Sequence, residues 1–224
     1  IEHQKGIKGI KAIIIYPLNA LANSQYSELV RMLERTDLKI GLYTGDTKNS
    51  LDEAVKAYKE NFGKDAEPKR CEIIHRLGMQ QNPPDILITN YVQLELLLTR
   101  LEDRKLFAEE YKENLRFLVL DEIHTYSGKR GTDVAYLIRR LKQKTNTKDR
   151  LLCIGTSATM VSDKAGENPE EVVASFATKL FGETFLSENV VKETEEETVF
   201  ISGNKLSKTF NIDNKDLFDF DSDN

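Results

Sequence analysis

Cysteine is scarce in this chain. Its 224 residues include two, Cys71 and Cys153, far apart and without a CxxC pair or a neighbouring histidine cluster. That disfavours both a disulfide scaffold and a zinc site and fits a reducing, cytoplasmic setting. Cys153 lies inside an apolar run and reads as a small core residue. Long hydrophobic runs are missing too: no stretch of the sequence approaches the roughly 20 apolar residues that cross a bilayer, so no membrane partner is expected. There is no internal repeat and no secretory leader, and the chain opens on Ile1 rather than Met, which points to a segment of a longer polypeptide.

Positive charge is in slight deficit, with a formal net charge of −5, but its distribution matters more than its sum. From Glu183 onward eleven acids face four lysines, a net of −7, which leaves residues 1 to 182 at +2. A mildly basic body permits contact with a phosphate backbone without demanding it. With 39% hydrophobic residues and 31% charged, the length suits one substantial globular domain plus an appendage. We place the domain at residues 1–182 and read 183–224 as an acidic extension or linker. Segments such as ETEEET and DFDSDN bury little, although TVFISGNKLSKTF alternates enough for a strand or hairpin.

Five short apolar runs stand out: 10–16, 38–43, 85–90, 116–120 and 151–155. Continuous Ile, Leu and Val are what strands covered on both faces require. Helical spacing falls between them at 20–34, 91–101, 131–143 and 169–181, and the last opens with Pro169 and two acids, as helix starts do. The alternation predicts an α/β fold, a parallel sheet with helices on both faces. Residues 48–81 are polar and suit one or two helices in a long connection. Arg139, Arg140 and Lys142 read as a solvated helix face, with an extended basic surface as the alternative.

Each run ends in a polar signature: YPLNALANSQ (16–25), YTGDT (43–47), TNYVQL (89–94), DEIH (121–124) and GTSATM (155–160). Singly, each has a plain explanation: Pro17 ends a strand, Asn19 caps a helix, Gly45 makes a turn, Thr89 and Asn90 cap the next helix, and Ser157 and Thr159 bond within a loop. Two adjacent carboxylates after a buried FLVL run can be a strand surfacing. They can also be a magnesium-and-water site at the carboxyl edge of a parallel sheet.

In order and spacing, however, these segments resemble motifs Ia, Ib, Ic, II and III of superfamily 2 helicases, the group of the DEAD-box and DEAH-box proteins. DEIH with the downstream SAT is the most specific part, and DEIHTYSGKRGTDVAYLIRRL is most similar to the large helicase-related (Lhr-like) DNA helicases. The resemblance implies a RecA-like, P-loop NTPase fold and the cofactors ATP and magnesium. It implies that Asp121 holds magnesium through water, that Glu122 orients or deprotonates the attacking water, and that His124, Ser157, Ala158 and Thr159 couple nucleotide state to the lobe interface. Pro17, Leu18, Asn19, Gly45, Thr89 and Asn90 would form a nucleic-acid track, with Asp46 anchoring its own turn. The family often carries Thr-Arg or Thr-Lys where this chain has Leu18 and Asn19, so a charge-assisted contact is missing there.

The phosphate-binding GxxxxGK loop is absent. The two Gly-Lys pairs, Gly63-Lys64 and Gly128-Lys129, lack the earlier glycine and are followed by Asp65 and Arg130 instead of Ser or Thr. On the resemblance, that loop belongs upstream of Ile1 and a second RecA-like lobe downstream, so residues 1–224 alone should hydrolyse ATP negligibly. The implied parent is an ATP-dependent DNA helicase or translocase acting on single- or double-stranded DNA. An RNA helicase and a catalytically dead binding module are the alternatives; a nuclease is disfavoured because no further metal-binding carboxylates converge on Asp121 and Glu122.

Overall fold

The computed structural model describes residues 7–148, 150–158 and 168–192. Strands β1 (Ala12–Ile15), β2 (Ile40–Tyr43), β3 (Ile86–Thr89), β4 (Phe117–Leu120) and β5 (Leu152–Gly155) lie inside the five apolar runs. They form one sheet in the order β2-β3-β1-β4-β5, with every neighbouring pair parallel. Parallel neighbours need crossovers, which helices α1 (Asn19–Leu33), α2 (Leu51–Phe62), α3 (Arg76–Gln81), α4 (Tyr91–Thr99) and α5 (Gly128–Thr145) supply; α6 (Pro169–Phe181) follows β5.

Both faces of the sheet are covered, and the alternation of strand side chains divides the core. Ala12, Ile40, Ile86 and Ile88 pack with Ala22 and Val30 of α1 on one face. Ile13, Ile15, Leu87, Leu118 and Leu120 meet α4, α5 and α6 on the other, through Leu94, Leu97, Leu137, Leu141 and Phe181 among others. All four residues of β3 are buried, which is why its run carries no polar alternation. Strand β5 is different. It lies at the edge of the sheet, with Leu152 and Ile154 exposed.

Local signals set the helix ends. Ser50 and Glu53 close a capping box at the start of α2, inside the polar 48–81 connection. Asn168 accepts the Glu170 amide at 3.1 Å at the start of α6, and Gly182 ends that helix at φ 71°. Helix α5 begins three residues before the expected 131, because Gly131 answers a close approach rather than a break: a Cβ there would lie 2.2 Å from the Tyr126 carbonyl oxygen.

Of the three α5 cations read as a solvated face, Arg139 and Arg140 are exposed and Lys142 is not. Lys142 is buried, its Nζ donating to the Phe181 carbonyl at 2.8 Å and pairing with Glu183. Arg139 donates to the Lys179 carbonyl at 3.2 Å, and Arg140 pairs with Glu95 on α4. The compact unit runs to Val190, with Phe185 donating its amide to Thr178 Oγ1 at 2.9 Å. The strand or hairpin considered within 198–210 lies outside the described residues. Both cysteines are free and buried, and burial pushes the Cys153 thiol up to about 12. No helix among the described residues is long and apolar enough to cross a membrane.

Candidate functional site

Sheet register decides where the polar signatures meet. Tyr43, Thr89, Ile15, Leu120 and Gly155 are aligned across the five strands, so each following segment leaves the same carboxyl edge. That edge is where open α/β sheets bind ligands.

On the β4 and β5 side, Asp121 donates its amide to the Ile15 carbonyl at 2.9 Å, and the chain then turns through Glu122 in the left-handed region, φ 51° and ψ 54°. A non-glycine residue held there costs on the order of 1 kcal/mol. The turn is pinned by buried Ile123, whose amide donates to the Thr156 carbonyl at 2.9 Å. Gly155 permits that closeness, since a Cβ would fall 2.9 Å from the Ile123 side chain.

The side chains of this half bond to one another. The Thr156 hydroxyl donates to Asp121 Oδ1 and accepts the Glu122 amide at 3.3 Å. His124 Nδ1 lies 2.9 Å from Ser157 Oγ and 3.1 Å from Glu122 Oε2, while the Ala158 amide donates to the same Glu122 oxygen at 3.4 Å. Asp121, Glu122, His124, Ser157 and Ala158 therefore converge; Thr159 lies outside the described residues. Burial and then the Asp121 charge raise the pKa of two neighbouring phenols, Tyr16 and Tyr126. Sequence reasoning missed Thr156, which holds both carboxylate residues. Its available signal was its place at the end of an apolar run directly before Ser157.

Among the described residues no group of three or more His, Cys, Asp or Glu could encage a metal. Two half-buried carboxylates with a threonine suit magnesium, which keeps several waters and takes the remaining oxygens from phosphate. Asp121, tied to Thr156, is the residue that would hold it, with Glu122 left beside it.

On the β2, β3 and β1 side, Asn90 caps α4, accepting the Gln93 amide at 2.8 Å, and its own amide donates to Asn19 Oδ1 at 2.7 Å. Asn19 is thus the first residue of α1 rather than its cap, and it links two loops of the edge. Leu18 and Gly45 are exposed, and Pro17, Asn19 and Asn90 are half-buried. Thr89 requires a correction. It is fully buried and donates to the Tyr43 carbonyl at 2.7 Å, so its side chain is not offered to a phosphate as the expected track required. Asp46 does not anchor its turn; Thr47 does, accepting the Thr44 amide at 2.9 Å and donating to the Leu42 carbonyl at 2.9 Å.

The model of the family described as DEAD/DEAH box helicase matches residues 1–166. The chain belongs to the DEAD/DEAH box helicase family. Its sheet is the RecA-like α/β fold of that family. The chain is 42% identical over 109 residues to the Druantia protein DruE of Escherichia coli (strain UMEA 4076-1), covering 45% of this chain and 6% of that protein. It is 27% identical over 193 residues to the Lhr helicase/probable uracil glycosylase of Mycolicibacterium smegmatis, covering 78% of this chain and 11% of the relative. The crystal structure of the DUF1998 helicase MrfA bound to DNA and AMPPNP superimposes with a TM-score of 0.52 at 29% identity, over 78% of this chain and 20% of MrfA. This helicase domain therefore spans a minor part of each relative's length.

Proposed function

We propose that this chain is the first motor lobe of an ATP-dependent DNA helicase or translocase. One observation carries the proposal: a single sheet edge joins an acidic pair, wired to the Gly-Thr-Ser-Ala segment through Thr156 and His124, to a neutral line of loops at Pro17–Asn19, Gly45 and Asn90. A magnesium ion would supply neutralisation of phosphate charge beside Asp121. Glu122 is suited to accept a proton from a water attacking the terminal phosphate, since among the described residues no lysine or arginine pairs with it and one oxygen lies 3.1 Å from His124 Nδ1. A shift of that phosphate would reach Ser157 through His124 Nδ1, which makes His124 and Ser157 couplers rather than acids or bases.

The exposed apolar edge of β5 supports completion by a further strand, and a phosphate-cradling loop carried there would lie beside Ser157 and Glu122. The neutral loops suit phosphate positioning without base readout. DNA is favoured over RNA because the MrfA structure holds DNA.

The test is ATP turnover by the full-length protein with single-stranded DNA, single-stranded RNA or neither, in wild type and Glu122→Gln. DNA stimulation that vanishes in the variant is the expected result. Stimulation by RNA alone would replace DNA as the substrate, and absence of turnover in the wild type would sink the motor reading in favour of a binding module.

A further inference from the structure

The loop between β2 and α2 is held by a residue that none of the edge signatures contains. Arg76, at the start of α3, donates from Nη2 to the Thr44 carbonyl at 3.1 Å and the Gly45 carbonyl at 3.2 Å. Its guanidinium lies 5.1 Å above the centre of the Tyr43 ring. The Arg76 and Leu77 amides donate to the Lys48 and Asn49 carbonyls at 2.9 and 3.2 Å, tying the far end of the same loop. Behind the ring, the Tyr43 hydroxyl donates to Asp103 Oδ1 at 2.7 Å, and Gln80 Nε2 donates to that same oxygen at 2.9 Å. Tyr43 and Asp103 are both buried, so the platform on which Arg76 stacks is fixed.

Each peptide unit is planar and, here, trans, so its C=O and the N–H of the next residue point in opposite directions. With the Thr44 and Gly45 carbonyls drawn inward to Arg76, the Gly45 and Asp46 amides face outward. Neither amide has a hydrogen-bond acceptor among the described residues, and both residues are exposed. Two successive outward N–H groups form a concavity suited to an anionic oxygen.

We propose that Arg76 is a positioning residue for nucleic acid: it fixes two adjacent peptide planes so that the Gly45 and Asp46 amides are presented to a backbone phosphate. It does not touch the phosphate itself. The proposal rests on the reading of the Gly45 loop as part of the nucleic-acid track. An arginine suits the task because its planar guanidinium can stack on Tyr43 and donate to two carbonyls at once, which a lysine ammonium cannot reproduce.

The experiment measures binding of fluorescent oligothymidine, with ATP turnover and Tm, in the full-length protein carrying Arg76→Lys, Arg76→Gln or Gly45→Glu. The two Arg76 variants are expected to bind about tenfold more weakly, equivalent to about 1.4 kcal/mol, through loss of two amide contacts. The DNA concentration for half-maximal stimulation should rise with kcat, unstimulated turnover and Tm unchanged. Because no phosphate contact by a charged group is lost in Arg76→Lys, its slope of log Kd against log salt should match wild type. Wild-type binding in Arg76→Lys, a slope lowered by about one in that variant, or a fall in Tm and unstimulated turnover parallel to the binding loss would each overturn the proposal. Gly45→Glu separates the two layers. A Cβ at Gly45 meets only Gln93 Nε2, at 3.8 Å, so the variant places a negative charge on the track without distorting the loop. If Gly45→Glu binds like wild type, the loop is not a nucleic-acid contact and the track reading fails there; if it weakens binding while the Arg76 variants do not, the role of Arg76 alone fails.

Discussion

On the β4 and β5 side of the sheet edge, side chains bond to side chains: Thr156 to Asp121, and His124 to Ser157 and Glu122. On the β2 and β3 side they bond mostly to backbone: Thr89 to the Tyr43 carbonyl, Thr47 to the Leu42 carbonyl, Arg76 to two carbonyls of its loop. A half-buried network of side chains can lose a member while water fills its place, so the chain path survives and the chemistry changes. A side chain that satisfies a buried carbonyl sets where the chain runs, and its loss moves the loop or destabilises the fold. On the proposed function, one half of the edge serves reaction and the other position.

The sharpest test of that contrast is Glu122→Gln, which keeps shape and removes a proton acceptor. Turnover by the full-length protein should fall on the order of 10³-fold, the span general-base loss produces, with Tm unchanged. A large drop in Tm would show that the left-handed turn at Glu122 depends on its charge, and the division of labour would collapse. Next comes Thr156→Val, which removes the hydroxyl joining Asp121 to the Glu122 amide while keeping a β-branched side chain in the same space. We expect turnover to fall about tenfold, equivalent to about 1.4 kcal/mol in the barrier. Unaltered turnover would make Thr156 a bystander.

The opposite signature is expected across the edge. Thr89→Val leaves the buried Tyr43 carbonyl without its donor and should lower unfolding stability by about 1 kcal/mol. Turnover per folded molecule should stay at the wild-type level. A selective loss of DNA binding at full stability would restore Thr89 to the track and contradict its burial.

The halves were not equally legible in the sequence. Continuous apolar runs such as the ILIT of β3 announce a doubly covered strand, and an apolar FLVL ending in two carboxylates announces a charged sheet edge. Those patterns are local, and they placed Asp121, Glu122, His124 and Ser157 correctly at one edge. What escaped detection depends on pairing between distant segments. Thr156 meets Asp121 because β4 and β5 align Leu120 with Gly155. Arg76 acts on a loop 31 residues earlier, and buried Lys142 finds Glu183 41 residues later, which is why a lysine on a charged helix face looked solvated. Thr89 looked like a surface hydroxyl because the sequence does not say whether the last residue of a strand points into the sheet edge or out of it.

The smallest expected effect separates two adjacent residues. The sequence suggested that Asp46 anchors its turn, whereas the structure gives that task to Thr47, whose hydroxyl holds the Thr44 amide and the Leu42 carbonyl. An exposed carboxylate beside a phosphate path only repels, by a few tenths of a kcal/mol across solvent-screened distances. Asp46→Asn should therefore tighten oligothymidine binding about twofold, with a steeper gain at low salt. Thr47→Val should weaken it, because the Thr44 amide and the Leu42 carbonyl lose their common partner and the carbonyls held by Arg76 drift with the loop. If Asp46→Asn instead weakens binding as much as Thr47→Val, the carboxylate is a turn anchor after all, and the positional half of the edge relies on charge as the reactive half does.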